Sequence, residues 1–346
     1  MPPSSAPAKP ASHPSPLTGI ITIVLTLLAW SSTPLFIQHF AESLDVWTSN
    51  GWRYGFAAII WAPVLIVGVI RGRLPRRLAW RALTPSIFNA AGQTAFALSF
   101  YHIDAATGSF GLRSQIVFVA IGAYLLFPAE RRLLKAPQSW LGIVLVLAGI
   151  AGTLFLARGG GPAAPVGVHA SHSLGVVLAV SGGVLFAGYS LEVRRRLEGV
   201  NPVIAFAAIS QYTALFLVTL MLIFGHNKSG VADHGASAWG LSFGQFAVFV
   251  LSSVIGIALG HVWYYTAIAR LGVAVSSGVV QLQPFVVAIA QLAVNGVLLT
   301  GAQWISGSLA VLGAGLLLMV QWKQSRSAAP GMPTLQTDPM LADTPD

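Results

Sequence analysis

Ten long apolar runs, separated by short polar or basic stretches, organise this chain: about 19–38, 48–70, 80–101, 105–127 and 139–157, then 174–192, 203–224, 243–268, 273–296 and 302–321. Each is close to the ~20 residues that a helix rising ~1.5 Å per residue needs to cross a hydrocarbon core ~30 Å thick. Lipid offers the backbone no hydrogen-bond partner, so runs of this length predict helices. The expected fold class is an all-α integral membrane protein with ten transmembrane helices, the run at 80–101 being the weakest. Residues 1–17 and 323–346 are rich in Pro, Ser and Ala, lack apolar periodicity, and read as disordered cytoplasmic tails. The first run is too long for a signal-peptide core and no cleavage pattern follows it, so it is expected to be an uncleaved first span.

Composition agrees. Hydrophobic residues make up 55% of the chain and charged ones 8%, against roughly 25% charged in soluble domains, which excludes a soluble globular protein. The chain has no cysteine, so disulfides, thiolate metal sites and thiol nucleophiles are excluded, and no metal or cofactor is expected. A net charge of +9 invites a nucleic-acid reading, but the distribution of the charges removes it. With both termini in the cytoplasm, 15 of the 19 basic residues fall inside: Lys9, Arg71, Arg73, Arg76, Arg77, Arg81, Arg131, Arg132, Lys135, Arg194, Arg195, Arg196, Arg270, Lys323 and Arg326. Only Arg158 and Lys228 lie outside, and Arg53 and Arg113 lie within spans. That bias is the positive-inside rule at work. It predicts a multi-pass protein of the cell's inner membrane, with no nucleic-acid partner.

The two halves resemble each other. Setting residues 96–121 against 264–289, at an offset of 168, pairs Ala106 with Ala274, Ser109 with Ser277, Gln115 with Gln283, and Ala120-Ile121 with Ala288-Ile289. Gln138 and Gly142 match Gln303 and Gly307 at an offset of 165, and Arg53-Tyr54 match Gln211-Tyr212. Five spans per repeat is an odd number, so the second repeat is inserted upside down. Inverted repeats of this kind recur in transporters, with the substrate site near the midplane between the halves. The expected organisation is a first repeat at 18–158, an outer linker at 159–173 and a second repeat at 174–322.

The run AIARLGVAVSSGVVQLQPFVVAIAQL (267–292), followed by LLTGAQWISGSLAVLGAGLLL (298–318), resembles the EamA domain of the drug/metabolite transporter superfamily. The family's pattern falls here on Arg270-Leu271, Ser276-Ser277, Pro284, Gln303 and Gly307. In the first repeat Glu130 takes the acidic position after the fourth span and Arg53 the basic position of the second. The chain departs from the pattern with Ile116 in place of a first-repeat proline and Val297 where an acid is common. The resemblance covers residues 18–322. It implies two five-helix repeats, transport of a small molecule, and a cavity bordered by the third and eighth spans.

Arg113 is the residue that most needs explaining. It lies about eight residues into its apolar run, on the order of 12 Å from the surface, where an unpaired guanidinium costs several kcal/mol at least. Bracing backbone carbonyls, or snorkelling outward on its long stem, is the alternative to lining the site. A guanidinium can grip a carboxylate through two parallel hydrogen bonds, which favours an anionic or zwitterionic substrate. The repeat offset makes Gln281 its image, expected across the cavity. Because two residues turn a helix by about 200°, Gln115 and Gln283 are expected to face other helices. Gln93 and His261 are also images, and His261 is the single histidine deep inside a run. It can be a neutral interhelical partner or the proton carrier of a coupled transporter. Trp30 and Asn89 are expected to complete the lining. Pro34 and Pro284 are expected to kink their helices for gating, and Arg53 is placed as structural or gating.

The reading is therefore a secondary transporter, an exporter of a small amino-acid-like or carboxylate-bearing metabolite working by alternating access. Its alternative is an exporter of cationic or neutral drugs, against which the lack of a deep glutamate and the presence of Arg113 argue. A membrane-embedded lipid-modifying enzyme needs clustered carboxylates or histidines. No D-x-x-x-D, H-x-x-x-H or nucleotide-binding loop occurs.

Overall fold

A computed structural model describes residues 16–128, 131, 133–156, 171–271 and 273–327. Glu130, Lys9, Arg132 and Arg158, most of the expected linker, and the tails apart from their innermost residues lie outside the described residues. The described chain folds into helices α1 (Pro16–Ala41), α2 (Val46–Ile70), α3 (Leu78–Ser99), α4 (Ala105–Leu112), α5 (Gln115–Leu126), α6 (Pro137–Phe155), α7 (His172–Leu197) and α8 (Pro202–Phe224). Then come α9 (Phe243–Ser253), a π-helix (Val254–Leu259), α10 (Gly260–Leu271), α11 (Val273–Val280), α12 (Gln283–Asn295) and α13 (Gly301–Ser327). α13 runs past residue 322, into the stretch expected to be tail.

Polar side chains at the ends set the boundaries. Asp45 accepts from the amides of Trp47 and Thr48 to start α2, and Asn201 accepts from Val203 and Ile204 to start α8. Ser242 and Gln245 form a capping box on α9. Thr300 and Gln303 do the same for α13, so Gln303 caps a helix rather than facing a site.

Among the described residues nine helices are long and apolar enough to cross a membrane, counting α4–α5, α9–α10 and α11–α12 as single spans. α3, the run expected at 80–101, is long enough but is not one of the nine. Arg81, Thr84, Ser86, Asn89, Gln93 and Thr94 lower its hydropathy. Ile59, Ile70, Val294, Ile305 and Leu312 point away from the protein with about two thirds or more of their surface exposed, the dress of a lipid-facing surface.

Packing pairs the helices in a regular way. α2 packs on α8 and α6 on α13; α1 packs on α10, α11 and α12, while α7 packs on α3, α4 and α5. Lipid tails are as apolar as leucine, so helices in a membrane are held by close fit rather than by the hydrophobic effect. At the α6–α13 seam, glycines bring backbone against backbone. A methyl group at Gly149 would meet the amide nitrogen of Ala310 at 2.4 Å, and one at Gly313 would meet the Gly142 carbonyl oxygen at 2.6 Å.

Candidate functional site

Two helix breaks define the centre of the molecule. α4 ends at Leu112 and α11 at Val280, so the breaks at Arg113-Ser114 and Gln281-Leu282 coincide at the offset of 168. Through each break the amides bond one residue short of the α-helical pattern: Arg113 to the Phe110 carbonyl at 3.0 Å, Ser114 to Gly111 at 3.1 Å, and Leu282 to Val279 at 3.0 Å. That tightened turn re-aims the residues that follow it. The 200° argument for a straight helix therefore fails here.

Gln283, and not Gln281, meets the guanidinium. Arg113 donates from Nη2 to Gln283 Oε1 at 2.8 Å and from Nη1 to the Val280 carbonyl at 3.3 Å. The Gln283 amide in turn donates to the Trp30 carbonyl on α1 at 2.8 Å. The first half repeats part of this, because Gln115 donates to the Phe186 carbonyl on α7 at 3.4 Å. α1 and α7 are both 26 residues long, and Trp30 and Phe186 stand equally far from their starts. Gln281 remains in the break, its Oε1 buried with no hydrogen-bond partner among the described residues.

Arg113 is only 7% exposed, so its stem does not carry the charge outward. Its neighbours are neutral acceptors, and it has no carboxylate partner among the described residues; Nε is buried and unbonded. A guanidinium in that state keeps bonding capacity in reserve for an anion.

Beside it stands a wall of rings. Trp30 packs against His261 (ring centroids 5.3 Å apart) and Tyr264 (4.9 Å), and Phe206 stacks on His261 at 4.2 Å. Tyr265 closes the far side at 6.5 Å from His261. The Tyr264 hydroxyl lies 3.0 Å from Ser277 Oγ, and its ring is an electrostatic neighbour of Arg113. His261 Nδ1 sits 2.8 Å from the Ile257 carbonyl, so that nitrogen carries the proton and donates it. These rings line the neighbourhood where the sequence led us to expect a cavity. The described pockets lie elsewhere, along α13: one of about 370 Å³ lined by Trp304, Ile305, Ser308, Leu309 and Leu312, another of about 240 Å³ beside Gln138 and Leu316.

The remaining candidates have other partners or positions. Asn89 ties α3 to α8 through Thr213 at 3.0 Å, and the Gln93 carbonyl accepts from Asn50 at 3.2 Å. Pro34 lies inside α1, which continues through it. Pro284 does not kink a helix midway, because it occupies the first turn of α12, where the missing N–H was never needed. Arg53 is buried at 2% exposure rather than snorkelling. Sequence reasoning missed Tyr264, Tyr265 and Phe206, and set aside Gln283, though the duplicated glutamines marked the last of these. Nothing in the sequence singles out Phe206.

Comparisons with known proteins bear on the fold and family. The model of the EamA-like transporter family matches residues 17–155 and 173–319. No curated protein matches the chain. Solved structures do, among them a crystal structure 16% identical with a TM-score of 0.54, spanning 88% of this chain and 98% of that one; at that identity the likeness concerns the fold alone.

Proposed function

Since the chain belongs to the EamA-like transporter family, within the drug/metabolite transporter superfamily, we propose that it exports a small carboxylate-bearing metabolite, amino-acid-like in character, by alternating access. In this reading ten helices form two inverted repeats in the inner membrane with both termini cytoplasmic, and α3 is the tenth span, its polar face turned inward. The exchange-symmetric packing and the matched breaks support the two-repeat plan.

The observation that carries the proposal is the tie of Arg113 to Gln283 and Val280 across the two breaks. A neutral amide and a carbonyl are weaker partners for a guanidinium than a carboxylate is. An arriving carboxylate would displace them, loosen the tie between the halves and make their rocking depend on substrate. Trp30, Tyr264 and His261 would receive the rest of the molecule, with Gln281 at its edge. His261 would carry the proton if transport is proton-coupled.

The ring wall favours a second reading, a cationic or neutral drug, because aromatic faces attract cations; the adjacent fixed charge of Arg113 opposes it. Cells overexpressing the chain or its Arg113→Gln variant would be compared for metabolites accumulating outside. Enrichment of carboxylic or amino acids that disappears in the variant is expected. Export of cationic or neutral compounds alone would replace this reading with the second.

A further inference from the structure

Arg113 bonds two acceptors across the breaks; the other buried arginine shows no such bonds among the described residues. Arg53 lies two turns into α2, and its Nε and Nη2 are buried with no hydrogen-bond partner among the described residues. The Oγ of Ser49, one turn earlier on the same face, is likewise buried, with the Tyr101 hydroxyl as its neighbour rather than a partner of full hydrogen-bond geometry. Facing them is Gly256, inside the π-helix. A Cβ built there has as its three nearest heavy atoms Thr33 Oγ1 at 2.5 Å, Arg53 Nη2 at 3.6 Å and Thr33 Cβ at 3.7 Å. Thus α1, α2 and the π-helix converge on one small nook, where the unbonded groups of Arg53 are N–H donors and the Thr33 hydroxyl already donates to the Ala29 carbonyl. Asp45, the acid on this stretch of chain, is committed to capping α2 and to the backbone and ring of His226.

Burying a guanidinium without a counter-charge is costly; among the described residues no carboxylate pairs with Arg53, whose electrostatic neighbours are the hydroxyls of Tyr54 and Tyr101. Single-turn π-helices inside longer helices are frequent at functional sites, and here the widened turn presents a glycine to the guanidinium. We infer that Arg53, with Ser49 beside Gly256, binds a small free monoanion, a carboxylate or a chloride ion, distinct from the group that meets Arg113. The nook is separate from the Arg113 tie but shares an element with it, because the π-helix leads directly into α10. Gly260, one turn on from Gly256, abuts Trp30 Nε1, 2.7 Å from its built Cβ. Binding of an anion here does not rest on the transport reading above.

The test is thermal unfolding of the purified full chain in detergent micelles at low salt. Sodium acetate or sodium chloride is titrated in, with sodium sulfate at matched ionic strength as the control. The wild type and Arg113→Gln should both gain several degrees with acetate or chloride beyond the sulfate control. In the Arg113→Gln background, where Arg113 cannot hold acetate, Arg53→Gln should lose that gain, and Arg53→Lys and Gly256→Ala should show a reduced one. A response to acetate assigns the carboxylate source, and a response to chloride alone assigns the halide. In the absence of added anion Arg53→Gln should melt no lower than the wild type, because it removes an uncompensated charge. The inference is overturned if Arg53→Gln keeps the full anion response in the Arg113→Gln background, if no anion stabilises the wild type, or if Arg53→Gln alone unfolds well below it. If Arg113→Gln transports normally while the anion response persists, the proposed function fails and this inference stands.

Discussion

The α6–α13 seam and the seam around Arg113 both join the first half of the chain to the second, and they do so by opposite means. The first is built from glycines at backbone contact, with Gly149 against Ala310 and Ser306 and Gly313 against Gly142. It has one low-energy fit and little to rearrange. The second is built from two broken helices, a buried charge held by neutral acceptors, and rings in edge and stacked contact. Its neutral acceptors can be exchanged for a stronger, charged one. Close packing without polar groups makes a durable joint in lipid, whereas a partly satisfied polar network makes one that a ligand can reopen.

Substitutions on either side test that contrast. Gly149→Leu should have the largest effect on folding, since the added atoms have no room between two backbones. A loss of about 3 kcal/mol or more is expected, read as a lower melting midpoint and poor recovery of folded protein. Arg113→Gln should leave the melt nearly unchanged yet cut transport on the order of 100-fold, a loss of about 3 kcal/mol of charge-assisted bonding. A large drop in stability with proportionate loss of transport would make Arg113 a brace and erase the contrast. Gln283→Leu should reduce flux about tenfold by freeing Arg113 and the Trp30 carbonyl, while Gln115→Leu, whose bonds hold no arginine, should change it less. Equal effects would mean the two breaks do the same job. The smallest expected change is in His261→Gln, which should flatten the pH dependence of transport with little change in its maximum; an unchanged profile would remove His261 as proton carrier.

How much of this was legible beforehand differs from residue to residue. The offset of 168 between the halves was visible in Ser109–Ser277 and Gln115–Gln283, and it coincides with the breaks at Arg113 and Gln281. The breaks themselves were not, because the sequence cue for a bend was proline. α4 breaks with Ile116 where a proline was looked for, and Pro284 starts a helix instead of bending one. The preference for Gln281 over Gln283 rested on straight-helix geometry, so one tightened turn reversed it. Phe206 comes from α8, whose apolar run offers no reason to choose it over its neighbours. Its role is visible only where it stacks on His261.

The sequence by itself determined that this chain is helical, membrane-embedded and internally duplicated, because lipid imposes length and apolarity on every span and those are properties of composition. It also placed two arginines, Arg53 and Arg113, within apolar spans. Which of them is satisfied was decided by tertiary structure alone. A hydrogen bond depends on ångströms and angles between helices distant in the chain, and Arg113 meets Gln283 across a separation of 170 residues, while Arg53 meets a glycine.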